Sequence, residues 1–209
     1  ADIIFSFDEC TAPNDTYEYQ KESVERTHRW AKRSLDYHLS QENSKHQALF
    51  GVIQGGRYED LRKHSASFHL ALPFDGYGIG GSFTKDDLVT AVNWVTDILP
   101  EEKPRHLLGI GEPRDIFLGV EAGCDMFDCV AATRIARNGN VYTRTGQINL
   151  MNSTYKTDLT PINDSCACYT CTHFTRAYLA HLFRAKEMLA GTLASIHNLY
   201  FINTLVSDM

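Results

Sequence analysis

The sequence has no apolar run approaching the roughly 18 residues that a membrane-crossing helix needs, which argues against a membrane protein. Its first residues, "ADIIFSF", have no basic stretch ahead of an apolar one, so no secretory signal is visible. An initiator Met is missing too, and the chain opens directly on a strand-like run, as expected of a chain that begins inside a longer protein. Positive charge is in deficit: Lys and Arg number 20 against 26 Asp and Glu, a net charge of −6. The molecule as a whole is therefore no general binder of polyanions, and a nucleic-acid partner needs a local basic patch. Nor is there a disulfide framework. Of the six cysteines, Cys10, Cys124 and Cys129 are scattered, while Cys166, Cys168 and Cys171 crowd into six residues. That crowding suits a metal better than disulfides, and a reducing cytoplasm is the expected setting. What is present is ordinary for a globular protein: 209 residues, 43% hydrophobic and 22% charged. This length allows one large domain or two small ones.

Short apolar runs bounded by Gly alternate with helical patterns. The runs are Asp2–Phe7, Ala48–Ile53, Gly76–Ile79, His106–Ile110 and Cys124–Val130. A helical pattern from about Lys21 to Leu39 follows the first, and Leu61, Ser65, Phe68 and Leu72 mark a second helix. Thr84, with Asp87 three residues on, is the expected cap of a third helix whose stripe is Leu88, Val92, Val95 and Leu99. Pro113 suits the first turn of a fourth, which Gly123 closes as a C′ residue. The β-loop-α unit thus repeats four times and a fifth strand follows, the pattern of parallel strands with crossover helices. Five strands are too few to close an eight-stranded barrel, so the sheet is either open or lacks its first strands. After about Val141 the character changes: "NVYTRTGQINLMN" alternates like a hairpin, "DSCACYTCTHF" is Cys-rich, a helix is expected from Thr175 to about Ala190, and the tail "TLASIHNLYFINTLV" reads as another.

In parallel α/β folds chemistry gathers at the C-terminal strand ends. Asp8, Glu9, Gln54, Gly80, Gly81 and Asp128 fall there. In "GCDMFDCVAATRIARNGN" period-2 alternation puts Asp125 and Asp128 on opposite faces. Asp128, near the end of the last strand, is the candidate for chemistry, and Asp125 is expected to pair near the strand start. The thiols of Cys166, Cys168 and Cys171 can wrap three tetrahedral positions of a Zn²⁺ ion. Spacing alone leaves the fourth ligand open among His173, His181 and His197. Four protein ligands make a closed, structural site.

The ordered set "FDECT", "LFGVIQGG", "FDGYGIGG", "MFDCV", "TRIARNG", "CACYTC" and "IHN" resembles the tRNA-guanine transglycosylases, or queuine tRNA-ribosyltransferases, from Asp2 to about Leu205. The set looks closer to bacterial members. The resemblance implies an α/β fold, the later part (about five β/α units) of a TIM-like (β/α)8 barrel with a C-terminal zinc-binding subdomain. Residues 1–140 would form the partial barrel and 141–209 the zinc-binding subdomain. It also implies a cytoplasmic pentosyltransferase that exchanges the wobble guanine of GU(N) tRNAs for a 7-deazaguanine through a covalent Asp–ribose intermediate. The earlier strands, and the "DSGGFQ"-type segment with the family's general acid/base Asp, have no counterpart here, so these 209 residues alone are expected to be inactive.

Residue by residue, the resemblance implies Asp128 as nucleophile, a role that suits a carboxylate at an oxocarbenium-like centre. It makes Asp8 the partner of the base's amine and ring N–H, with Cys10 beside it. Gln54 and the Gly81 backbone would hold the base carbonyl, and Leu108 would stack on the ring. Arg134 and Arg137 would grip the RNA beside the target. It selects His197 as fourth ligand of one structural Zn²⁺. It implies tRNA and a 7-deazaguanine as partners, and a homodimer. Three places depart from the family pattern. "SFTKD", Ser82–Asp86, stands for the usual "LAVGE", with Asp86 in place of Glu, which leaves the incoming base open between 7-aminomethyl-7-deazaguanine and queuine. Glu112 stands where a Lys is common, and "AATR" replaces "PTR". Two rival readings are a non-catalytic RNA-binding subunit, against which Asp8 and Asp128 argue, and a zinc-stabilised barrel glycosidase, against which the cysteine site and the Arg134/Arg137 loop argue.

Overall fold

The computed structural model describes residues 1–81 and 85–209. Contacts divide the chain into two compact units, Ala1–Asp128 and Cys129–Met209.

The first unit alternates strands and helices: β1 (Ile3–Phe5), α1 (Tyr17–Leu39), β2 (Ala48–Ile53), α2 (Glu59–Leu70), β3 (Gly76–Ile79), α3 (Leu88–Thr96), β4 (Arg105–Leu107), α4 (Pro113–Glu121) and β5 (Met126–Phe127). The five strands form one sheet in the order β1-β2-β3-β4-β5, every neighbour parallel. This is the expected α/β architecture, a part of a (β/α)8 barrel. From Leu49 on, β2 is buried, and so is all of β3, because a parallel sheet is covered on both faces. The register brings Ile53, Ile79, Leu107 and Phe127 into one row across four strands, so the strands run out together.

Leu49, Ile53, Tyr77, Ile79 and Leu107 pack against Ala31, Leu35, Ala66, Leu88, Val92 and Val95 of the covering helices. The opposite face carries Phe5, Phe50, His106 and Leu108. There the Phe5 ring meets those of Phe50 and His106 edge-on, at 5.5 and 5.4 Å. A Cβ on Gly78 would lie 3.0 Å from both Leu108 and Phe5, so only glycine lets these side chains meet over β3.

Strands β1, β4 and β5 are shorter than their apolar runs. Leu108 N still donates to Ile79 O at 3.1 Å, after which Gly109 turns the chain away at a φ of 73°. Helix α1 begins four residues earlier than its periodicity suggests, because Thr16 Oγ1 accepts from Tyr19 N at 3.3 Å. Pro113 sits in the first turn of α4, and Gly123 lies just beyond its end with a φ of 89°. The proposed cap Thr84 lies outside the described residues, while the α3 stripe is buried with Leu99 as expected.

The second unit holds α5 (Ala131–Arg137), β6 (Asn140–Thr143), β7 (Gly146–Asn149), α6 (Tyr169–His173), α7 (Arg176–Arg184) and α8 (Met188–Ser207). Strands β6 and β7 form the expected antiparallel hairpin. Val141, Leu150, Ile162, Leu179, Leu193 and Ala194 make a second core. The buried Asn198 accepts from Tyr142 N at 3.0 Å and donates to Ala132 O and Asn140 O at 2.9 and 3.1 Å. It thus ties α5 and β6 to α8, so residues from Cys129 on pack with the second unit rather than only those after Val141.

The single helix expected from Thr175 to Ala190 is two. Thr175 caps α7 as its hydroxyl accepts from Tyr178 N at 3.2 Å. The helix ends in a Schellman turn, Lys186 N donating to Phe183 O at 3.1 Å and Glu187 N to Leu182 O at 3.0 Å, with Lys186 at a φ of 60°. Met188 and Leu189 therefore open α8, and a lysine holds the position where glycine would signal a stop. No helix among the described residues is long and apolar enough to cross a membrane.

Candidate active site and metal centre

Two groups of polar side chains stand where the parallel strands of the first unit end. In one, Gln54 Nε2 donates to Asp8 Oδ2 at 2.6 Å. Gln54 is only 2% exposed, and its Oε1 has no hydrogen-bond partner among the described residues. Gly81 closes over it at a φ of 99°, where a Cβ would lie 2.8 Å from both Gln54 Oε1 and Arg62 Nη2. The fully buried Arg62 donates to Gly56 O and Gly80 O at 2.8 Å each, pinning the loops that follow β2 and β3. Burial lowers its pKa to about 10, which leaves it cationic at neutral pH, and Cys10 opposes that fall.

In the other group Asp128 Oδ1 accepts from Gly109 N at 3.0 Å and lies 2.8 Å from His106 Nε2. Asp128 Oδ2 accepts no hydrogen bond among the described residues. His106 is 8% exposed, and its Nδ1 has no partner among the described residues. A buried N–H without an acceptor is costly, so the imidazole carries its proton on Nε2 and donates it to the carboxylate. Asp125 does the other job expected of it: its Oδ2 accepts from Arg105 N at 2.9 Å while its own N donates to Arg105 O at 2.8 Å, fastening β5 to the start of β4.

In the second unit Cys166, Cys168, Cys171 and His197 converge. His197 Nδ1 lies 3.8, 3.5 and 3.3 Å from the three sulfurs. Tetrahedral bonds of about 2.3 Å to sulfur and about 2.0 Å to nitrogen put donor edges about 3.5 Å apart, so the four atoms fit one small ion. His197 is fully buried, and its Nε2 lies 2.8 Å from Tyr142 O, which accepts a hydrogen bond from Nε2–H and leaves the Nδ1 lone pair facing the thiols. Burial pushes the Cys168 and Cys171 thiols up and His197 down, each away from its charged form. Of the other two histidines that spacing left open, His173 Nδ1 turns back to Tyr169 O at 2.9 Å within its own helix, and His181 is exposed on α7.

The model of the queuine tRNA-ribosyltransferase family matches the chain over residues 1–209. The chain belongs to the queuine tRNA-ribosyltransferase family. Proteins named queuine tRNA-ribosyltransferase from Caldanaerobacter subterraneus and Dechloromonas aromatica are each 48% identical to it over 212 residues. These matches cover 100% of this chain but 56% and 57% of those proteins. A putative queuine tRNA-ribosyltransferase from Archaeoglobus fulgidus is 46% identical over 213 residues, covering 97% of this chain and 52% of its own length. The chain therefore spans about half the length of the curated relatives it matches.

Of the base-binding residues that the queuine tRNA-ribosyltransferase resemblance implies, Asp8, Gln54 and Gly81 come together, and Leu108 meets Phe5 over Gly78. Cys10, two positions after Asp8, is exposed. Asp86 is exposed, while Ser82, Phe83 and Thr84 of its loop lie outside the described residues. Arg134 and Arg137 lie one turn apart on α5, both exposed. Sequence reasoning missed His106 and Arg62. Period-2 alternation puts His106 on the same face as Leu108, two residues later, and would have found it. For Arg62, a cation inside a helix of ordinary amphipathic pattern, no local signal exists.

Proposed function

We propose that this chain is the later part of the catalytic barrel of a tRNA-guanine transglycosylase, with Asp128 as its nucleophile. The observation that carries this reading is the Asp128 carboxylate, one oxygen held by two donors and the other free, at the end of a parallel strand in a chain of this family. Asp128 Oδ2 attacks C1′ of the wobble guanosine ribose. The C1′–N9 bond breaks, and guanine leaves with the bonding pair. The acid that protonates the leaving guanine belongs to the "DSGGFQ"-type segment, outside these residues. N9 of the incoming 7-deazaguanine, its proton taken by that same group now acting as base, then attacks C1′ and releases Asp128. His106 and Gly109 hold Oδ1 through both steps, so that Oδ2 is the oxygen aimed at the sugar.

Asp8 accepts the amine and ring N–H of the base, as a carboxylate does with two parallel donors. Gln54 and the Gly81 backbone take the carbonyl edge, Leu108 covers the ring, Cys10 flanks Asp8, and Asp86 faces the substituent of the deazaguanine. In this reading the Gln54 amide leaves Asp8 when the base arrives, which makes the Asp8–Gln54 bond a stand-in for the ligand. Arg134 and Arg137 hold the uracil and phosphates beside the extruded guanosine. Cys166, Cys168, Cys171 and His197 would hold one Zn²⁺, which in a closed four-ligand site supplies folding energy rather than chemistry. The enzyme is cytoplasmic and homodimeric in this reading.

The decisive experiment is exchange of labelled guanine into unmodified GU(N) tRNA by the full-length protein, wild type against Asp128→Asn. The variant is expected to lose at least about a thousandfold in kcat. Exchange that persists overturns the assignment of Asp128.

A further inference from the structure

Between α1 and α2 lies a group of side chains that takes no part in the strand-end site. Glu25 and His28 stand one turn apart on α1, and His64 faces them from α2. Glu25 Oε1 is 3.0 Å from His64 Nε2, and the His28 and His64 ring centroids are 5.1 Å apart. One donor atom from each of the three lies within 4.8 Å of the others.

We infer that Glu25, His28 and His64 form a second cation site, one for a borderline divalent ion of the Zn²⁺ type, that joins α1 to α2. Two imidazoles and one carboxylate are the donor set such ions favour, whereas Ca²⁺ and Mg²⁺ select oxygen alone. With metal–ligand bonds of about 2.0–2.1 Å, donor edges are about 2.9 Å in an octahedron and about 3.3 Å in a tetrahedron. The 3.0 Å Glu25–His64 separation falls between the two. The third donor is fixed in advance. His28 is buried, stacked on Phe68 at 3.9 Å with the planes 6° apart, and its Nε2 is 3.2 Å from Ser65 Oγ. Glu25 and His64 are exposed, so the ion enters from solvent and water completes its coordination. A plain Glu25–His64 ion pair accounts for two of these residues, while the His28 ring, held by Ser65 and Phe68, stands within reach of both. Unlike the Cys166–His197 cluster, this site has three protein ligands and keeps open positions.

The test is isothermal titration of ZnCl₂ into the tag-free full chain, already carrying one equivalent of Zn²⁺ on its cysteine cluster, at neutral pH. A second equivalent is expected at micromolar affinity. His64→Ala and Glu25→Gln, both at exposed positions, are expected to weaken it by about tenfold or more while the cysteine-bound equivalent stays in place. No second equivalent at sub-millimolar Zn²⁺ overturns the inference. So does a second equivalent that neither substitution weakens, since that ion binds elsewhere.

Discussion

The Nε2 atom of His106 lies 2.8 Å from the Asp128 carboxylate, across 22 positions of chain and between neighbouring parallel strands. The contact pins the same oxygen that Gly109 N holds, so the freedom of the carboxylate to rotate is lost before any substrate arrives. Prepaid orientation of this kind is where much of the advantage of an enzyme over solution resides.

His106→Ala in the full-length protein is expected to lower kcat by about 10- to 100-fold with little change in the KM for tRNA. His106→Asn, which keeps an N–H donor at that place, should recover part of the loss. A KM effect without a kcat effect in steady-state exchange assays would mean that His106 serves binding and not the orientation of Asp128.

Gln54→Ala removes both the 2.6 Å partner of Asp8 and the buried Oε1 beside Gly81. The KM for the free base should rise by about tenfold or more, since an unpaired buried polar group costs about 1–3 kcal/mol. The same substitution should leave the affinity for tRNA nearly unchanged. Equal losses for base and tRNA in binding measurements would place Gln54 outside the base pocket.

Cys171→Ser is expected to abolish the metal bound by the Cys166–His197 cluster and to lower the melting temperature, because binding to the folded state alone is stabilising. Metal retention should also fall as pH falls, protons competing with the ion for three thiolates and one imidazole. Elemental analysis of wild type and variant across a pH series checks both. An unchanged metal content in the variant rules the cluster out.

Cys124 is buried, and burial first, then the Asp125 charge, push its thiol up from 9.0 to about 12 against the opposing pull of Arg105. A raised folded-state pKa means that the unfolded chain gives up this proton first. Its contribution to stability is therefore complete below about pH 9 and lost as pH rises towards about 12. Denaturant midpoints should fall over that alkaline window, less so in Cys124→Ala. With the thiolate as the reactive form, iodoacetamide should label exposed Cys10 and spare Cys124 in the native protein. Mass spectrometry that finds Cys124 labelled first would contradict the burial argument.

Much of the fold is legible because it is local. The apolar runs at Ala48–Ile53 and Gly76–Ile79 are the observed strands β2 and β3, and Pro113 and Gly123 bracket α4. Local rules fail where tertiary contact sets the limit. Cys124–Val130 shrinks to Met126–Phe127 because its neighbour β4 pairs over only two residues there. The break at Lys186 escapes because a lysine holds a left-handed turn that glycine usually marks.

The chain by itself determined that carboxylates and glycines would collect at parallel strand ends and that three crowded thiols would seek one ion, since periodicity and short spacing act within a few residues of backbone. Tertiary structure decided the partners that spacing left open, of which the family resemblance had named His197 but not His106. His197, rather than His173 or His181, faces the thiols, and His106 rather than a sequence neighbour holds Asp128. Each choice joins residues more than 20 positions apart. Only the packing of α8 beside the cysteine loop and the register of β4 on β5 bring such atoms within bonding distance, and no local pattern carries that information.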